Sequence, residues 1–410
     1  MQSLVAEPIT SPEAVEYAME NARLNLSARA RTSRLPWRGQ FSPELVEYLI
    51  DTICPDAATI LDPFCGSGTV LFEAAARGAH GIGTEVNPAA WQLAAMACLT
   101  KIGSHELDRL QSEFQEAAGS LIVAMKRSLS PQHQEQFLTS IREAHDPALK
   151  KCLSTSLLLA MGDKADVKVV SVERAAATVL NLLGEMKSYR GSADCHLADA
   201  RAIPAETGTI DAVITSPPYI NVFNYHQNYR PAAELLGWEP LAAARSEFGS
   251  NRKHRQNRFL TVVQYCLDMA EALDEIARVC RPGAPVVVVV GRESNVLGTK
   301  FHNSELLISL FQHSPAFQFH QSNERVFMNR FGQEIYEDVL VATALDNQRI
   351  DPEFTRALGA TTLKAALNKV PEKSKDSLQE ASRLAHTVKP SPIYIPPSRH
   401  TLRTTSTHAS

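Results

Sequence analysis

The chain has 410 residues, with 41 Lys and Arg against 45 Asp and Glu and a net charge of −4. At 44% hydrophobic and 21% charged residues it can bury a sizeable core, which excludes a collagenous or wholly disordered protein. The charge balance gives no global attraction to nucleic acid, so any basic contact surface must be local. Seven cysteines are dispersed, with no C-x-x-C pair and no Cys/His cluster at zinc spacing. No metal is expected, and the thiols suit a reduced, cytoplasmic protein. Met1 to Thr10 lacks the basic and apolar regions of a signal peptide, and no apolar run reaches the length of a membrane span.

Residues 1–34 read as an N-terminal helical segment, with Ser11-Pro12-Glu13 as a helix start. The cap pattern repeats in Phe41-Ser42-Pro43-Glu44, ahead of an apolar face at Leu45, Leu49 and Ile50. Phe41 is then either a hydrophobic staple or one wall of a ligand pocket. From Ala58 a strand runs into Asp62-Pro63-Phe64-Cys65-Gly66-Ser67-Gly68-Thr69, and a helix follows. Gly66 and Gly68 let the backbone approach a ligand, and the helix start aims free N–H groups at it. The turn has no third glycine at dinucleotide spacing and no Gly-Lys-Ser/Thr. An acid at the strand end repels a pyrophosphate but suits a cationic amine, such as the methionine part of S-adenosylmethionine.

The next strand, His80 to Glu85, ends in a second acid. Its carboxylate can accept hydrogen bonds from ribose hydroxyls, a reading favoured by what precedes it over that of a solvated turn glutamate. Residues 92–190 are helical in pattern, with apolar residues at helical spacing over Leu107 to Met125 and Gln132 to Leu149. That is far more than a crossover needs, so we expect a helical insertion. Strand character returns at Asp194 and ends at a third acid, Asp199. Alone it is no signal, but in order after Asp62 and Glu85 it matches an architecture in which such an acid faces an adenine amino group.

A fourth strand, Ile210 to Thr215, stops at Ser216-Pro217-Pro218-Tyr219, because proline cannot continue a ladder and its ring fixes φ. The aromatics and amides of Tyr219 to Tyr229 suit a loop that stacks on nucleobases. Residues 245–258 hold five Arg or Lys and one acid, as suits phosphate contact. Phe259 to Val279 is a long amphipathic helix, and Ala284 to Gly291 a strand buried on both faces. A helix at Ser304 to Phe311 and a closing pair of strands over 317–329 and 335–344 complete the domain, expected to span 35–348. Residues 349–410 are rich in proline and polar residues and are expected to be a flexible tail.

Together, Asp62-Pro-Phe-Cys-Gly-Ser-Gly-Thr69, Glu85, Asp199 and Ser216-Pro217-Pro218-Tyr219 resemble the S-adenosylmethionine-dependent amino-methyltransferases of nucleic acid. The Ser-Pro-Pro-Tyr form is most similar to cytosine-N4 DNA methyltransferases, and Gln40-Phe41-Ser42-Pro43 is similar to the family's Phe-x-Pro segment. The resemblance implies a Rossmann-like α/β fold, a mostly parallel seven-stranded sheet with helices on both faces. It implies S-adenosyl-L-methionine as cofactor, bound by Phe41, Asp62, Phe64, Gly66, Gly68, Thr69, Glu85 and Asp199. It makes duplex DNA with a flipped target base the partner, and a restriction–modification system with a cognate restriction endonuclease the setting.

In that reading Ser216 and Pro217 accept the amino hydrogens of cytosine, Pro218 stiffens the corner, and Tyr219 stacks on the base. Adenine-N6 enzymes more often carry Asp or Asn before Pro-Pro. Guanine-N2 methylation of RNA and a non-catalytic binding protein on the same fold stay open. Cytosine-C5 chemistry needs a cysteine nucleophile, usually after a proline, and none of the seven follows one.

Overall fold

The structure, a computed structural model, describes residues 17–25, 33–127, 133–221, 225–250, 254–328 and 332–397. Its main sheet contains β1 (Thr59–Asp62), β2 (His80–Glu85), β3 (Ser192–Leu197), β4 (Ala212–Thr215) and β5 (Pro285–Gly291). A small hairpin, β6 (Glu293–Val296) with β7 (Thr299–His302), follows, and β8 (Phe317–Met328) and β9 (Glu334–Ala344) return to the main sheet. The order is β3-β2-β1-β4-β5-β9-β8, with β1 to β5 parallel and β9 antiparallel to both β5 and β8. This is the expected seven-stranded, mostly parallel α/β sheet. The chain builds outward from β1 to β3 on one side, then crosses to β4 on the other. The crevice between the carboxyl ends of β1 and β4 is therefore the topological switch point, where such sheets bind ligands.

The valine run of β5 shows why both faces are covered. Val286, Val288 and Val290 pack against the Leu260–Val279 and Asn303–His313 helices. Val287 and Val289 face the other way, into the cluster formed with the Pro43–Ile53 and Thr69–Arg77 helices. Alternation of side chains along a strand splits one apolar run between two cores.

Between β2 and β3 the chain forms helices Ser104–Arg127, His133–Glu143, Pro147–Met161 and Val169–Met186. The first buries Leu107, Leu110, Phe114, Ala118, Leu121 and Met125, a stripe at spacings of three and four. The expected run from Gln132 to Leu149 is broken at 144–146, where Asp146 caps a new helix and Pro147 occupies its first position. These helices pack on β3 and on the Pro88–Ala94 helix, making a third core.

The carboxyl-terminal expectation needs correction. Residues 352–397 are not a loose tail: helices Pro352–Ala365 and Lys375–Leu384 lie on the Leu260–Val279 helix and a strap follows them. Leu363, Leu378, Ala381, Ala385 and Val388 are buried in the same core as β5. Gly359 shows how close the contact is, since a Cβ there would lie 2.8 Å from the Cα of Val263. The apolar residues responsible are sparse and small, which is why composition masked them. The boundary at 349 is therefore not a domain boundary. The helix start at Ser11-Pro12 and residues 251–253 of the basic run lie outside the described residues.

Candidate active site

The site starts at the end of β1. Gly66 and Gly68 have φ of 53° and 85°, the left-handed region, and Gly68 caps the Thr69–Arg77 helix. A Cβ at Gly68 would come within 2.9 Å of Ala94 Cα, so close packing on the Pro88–Ala94 helix also requires glycine. Asp62 is 2% exposed, and its Oδ1 accepts from Thr215 Oγ1 at 2.6 Å and Phe64 N at 3.1 Å. Neither bond uses Oδ2. Burial pushes the Asp62 carboxyl up to about 7, against the lowering effect of those two bonds.

Glu85 closes the turn from β2. Its Oε2 accepts from Gly66 N at 3.0 Å and its Oε1 from Asn87 N at 2.8 Å. Asn87 caps the next helix, accepting from Ala89 N and Ala90 N, and its Nδ2 donates to Tyr225 O at 3.0 Å. Burial lifts the Glu85 carboxyl to about 7, while the two backbone bonds pull it down.

β4 lies beside β1, so its end enters the same crevice. The Thr215–Asp62 bond ties the two strand ends together. Ser216 and Pro218 line one cavity with Phe41, Asp62, Phe64, Gly66, Thr69, Glu85 and Asp199. Gly68 and Pro217, each next in sequence to a lining residue, are not themselves part of that lining.

Two residues differ from expectation. Asp199 borders the cavity, but its oxygens are already occupied. Oδ1 accepts from Arg201 N and Nε, and Oδ2 from Arg201 Nη2 and Tyr394 N. A carboxylate has about four lone-pair sites, so an adenine amino group finds no free acceptor there. The cause is local, an arginine two residues on, together with the strap. Tyr219 is not among the lining residues. Its OH donates to Glu337 Oε1 at 3.2 Å, and its ring lies on Gly291, where a Cβ would come 2.6 Å from Tyr219 Cε2. Glu337 in turn pairs with the buried Arg325, so the tyrosine is built into the closing strands.

Of the rest of the wall outside the glycine turn, Gln40 alone belongs to one of the family-like motifs of the sequence. Trp37, Gly39 and Gln40 flank Phe41, and Gln40 Oε1 accepts from Trp37 N at 2.7 Å and Ser67 Oγ at 3.4 Å. Tyr225, Ser246, Glu247 and Phe248 come from the segment after Ser-Pro-Pro-Tyr. Phe248 meets Phe64 edge-on at 5.2 Å, and the Arg201 guanidinium lies over the Phe248 ring, 4.9 Å from its centre. The aromatic and amide richness of 219–229 hinted at a role for Tyr225, whereas Ser246, Glu247 and Phe248 fall in the basic run read as phosphate contact. Among the described residues the wall contains four acids and no lysine or arginine.

Residues 21–96 match the model of a family described as DNA methylase. The type II methyltransferase M.MjaII of Methanocaldococcus jannaschii is 37% identical over 67 residues, 15% of this chain and 13% of that protein. The chain thus matches about an eighth of that relative's length. A SAM-dependent methyltransferase from Methanosarcina mazei superposes with TM-score 0.33 and 14% identity, covering 71% of this chain and 93% of that one. TrmN from Thermus thermophilus gives 0.31 and 14%, covering 75% and 50%. S-adenosyl-L-methionine is the cofactor that fits this wall. Asp62 offers an unused oxygen at the glycine turn, and an acidic lining suits a ligand carrying sulfonium and ammonium charges.

Proposed function

We propose that this chain, whose residues 21–96 are those of the DNA methylase family, transfers a methyl group from S-adenosylmethionine to an exocyclic amino group of a base in DNA, cytosine N4 first. The observation that carries the reading is the meeting of Asp62 and Ser216-Pro217-Pro218 at adjacent strand ends, joined through Thr215 and opening on one cavity. The family match covers the cofactor half, and the motif on β4 supplies the other.

The cofactor supplies an electrophilic methyl group on a positively charged sulfur. Asp62, Glu85 and the N–H groups at the start of the Thr69–Arg77 helix would hold it, as would Phe41. An exocyclic amine conjugated with its ring is a poor nucleophile and must be turned so that its lone pair points at the methyl. Ser216 Oγ and the Pro217 carbonyl can accept its two hydrogens, and the double proline keeps that carbonyl fixed. As the N–C bond forms the S–C bond would break, the neutral thioether would leave, and loss of one proton from the nitrogen to solvent water would restore a neutral amine. Ser before Pro-Pro favours cytosine. A restriction–modification setting, with a cognate endonuclease, belongs to the same proposal.

Incubation with tritiated cofactor and duplex DNA, followed by nucleoside analysis, should yield N4-methylcytosine. Label on adenine would move the target to N6, and label only on RNA guanine would replace DNA with RNA. Ser216→Ala should lower kcat by about a hundredfold, the scale of one lost preorganised hydrogen bond, with cofactor affinity within about twofold. Equal losses in both would make Ser216 structural.

A further inference from the structure

Glu247 is the one acid on the cavity wall that lies outside every motif. Its side chain is 5% exposed. Oε2 accepts from His226 Nδ1 at 3.0 Å, and that imidazole is itself 2% exposed. Oε1 is buried and has no hydrogen-bond partner among the described residues. A buried acceptor left unpaired costs about 1–3 kcal/mol, more if charged, so the position calls for a donor. No described side chain supplies one, and the atom belongs to a residue lining the cavity.

Its neighbours indicate which part of a ligand it meets. The charge of Glu247 acts on both Glu85 and Tyr225. Asn87, two residues after Glu85, holds the Tyr225 carbonyl. Glu247 therefore shares the Glu85 end of the cavity, although it arrives on a different element. Glu85 has one backbone N–H on each oxygen, which leaves it about two of four lone-pair sites, and Glu247 Oε1 adds a further acceptor at the same end.

We propose that Glu247 is a second carboxylate at the ribose of the bound S-adenosyl compound, with Oε1 accepting from a ribose hydroxyl and His226 holding the carboxylate in place. The segment after Ser-Pro-Pro-Tyr then closes over the cofactor as well as leading to the base. This rests on the cofactor reading above.

The test is calorimetric titration of the full chain with S-adenosylhomocysteine and with its 2′-deoxy and 3′-deoxy analogues. Glu247→Ala should bind the parent compound about tenfold more weakly. It should also lose at least tenfold of the wild-type discrimination against one of the two deoxy analogues. Glu247→Gln, which preserves volume and can still accept from His226, should show the same loss of discrimination if the alanine variant melts early. Variants that keep the wild-type discrimination, or lose affinity for all three compounds by one common factor, overturn the proposal and leave Glu247 a structural partner of His226. A wild-type protein that binds none of the three overturns the cofactor reading itself.

Discussion

At the residue scale the site is defined by carboxylates held in unusual surroundings. Asp62 and Glu85 are each raised to about 7 by burial, so in the empty protein they gain protons just below neutrality. A cationic ligand favours their ionised forms, so its binding releases protons below that point. The affinity for S-adenosylmethionine should therefore rise from pH 6 to pH 8 by about tenfold and flatten above. Titration calorimetry across that range checks it, and Asp62→Asn should flatten part of the slope. Affinity that is level or stronger in acid would show that these groups do not meet positive charge. The stability of the empty protein runs the other way. A carboxyl with a raised folded pKa ionises first in the unfolded chain, so these two groups weaken the fold as pH climbs from about 4 to 7.

At the element scale the carboxyl-terminal strap changes how the third acid is understood. Arg201 Nη1 donates to Ser391 O at 2.7 Å and Nη2 to Pro392 O at 3.0 Å. Ser391 N and Oγ each donate to Asp268, both at 2.7 Å, and Tyr394 N donates to Asp199 at 2.9 Å. Arg201, Asp199 and Asp268 are all buried, so these contacts complete the solvation of charges that water does not reach. A chain ending at Val388 should lose at least about 3 kcal/mol, since bonds to charged groups are worth about 1.5–3 kcal/mol each and water replaces only some. The denaturant midpoint should fall and cofactor affinity with it. An unchanged midpoint would make the strap an ornament on a core that stands without it.

At the scale of the whole molecule, what could be read in advance followed periodicity and punctuation. The strands of the sheet announced themselves because acids, glycines and prolines end them abruptly, and β5 because five valines in a row have few other fates. The glycine turn was legible because its constraint is local. Asp199 misled because its expected partner is a ligand, whereas the group that holds it sits two residues on and is helped by backbone nearly two hundred residues away. The β6–β7 hairpin turns on Leu297 and Gly298, with φ of 51° and 86°, and only the glycine hinted at it. Glu247 could not be singled out at all, because a buried unpaired oxygen is a property of packing.

The Arg201 clamp also bears on synthesis. Its carbonyl partners lie 190 and 191 residues further along the chain. At about 5–20 residues per second, roughly 10–40 s separate the emergence of Arg201 from that of Ser391 on a ribosome. During that interval the sheet can assemble through β5, yet the third acid and its arginine wait without the backbone that finally encloses them. A nascent chain is thus denied its finished cofactor cleft until almost everything else has been made.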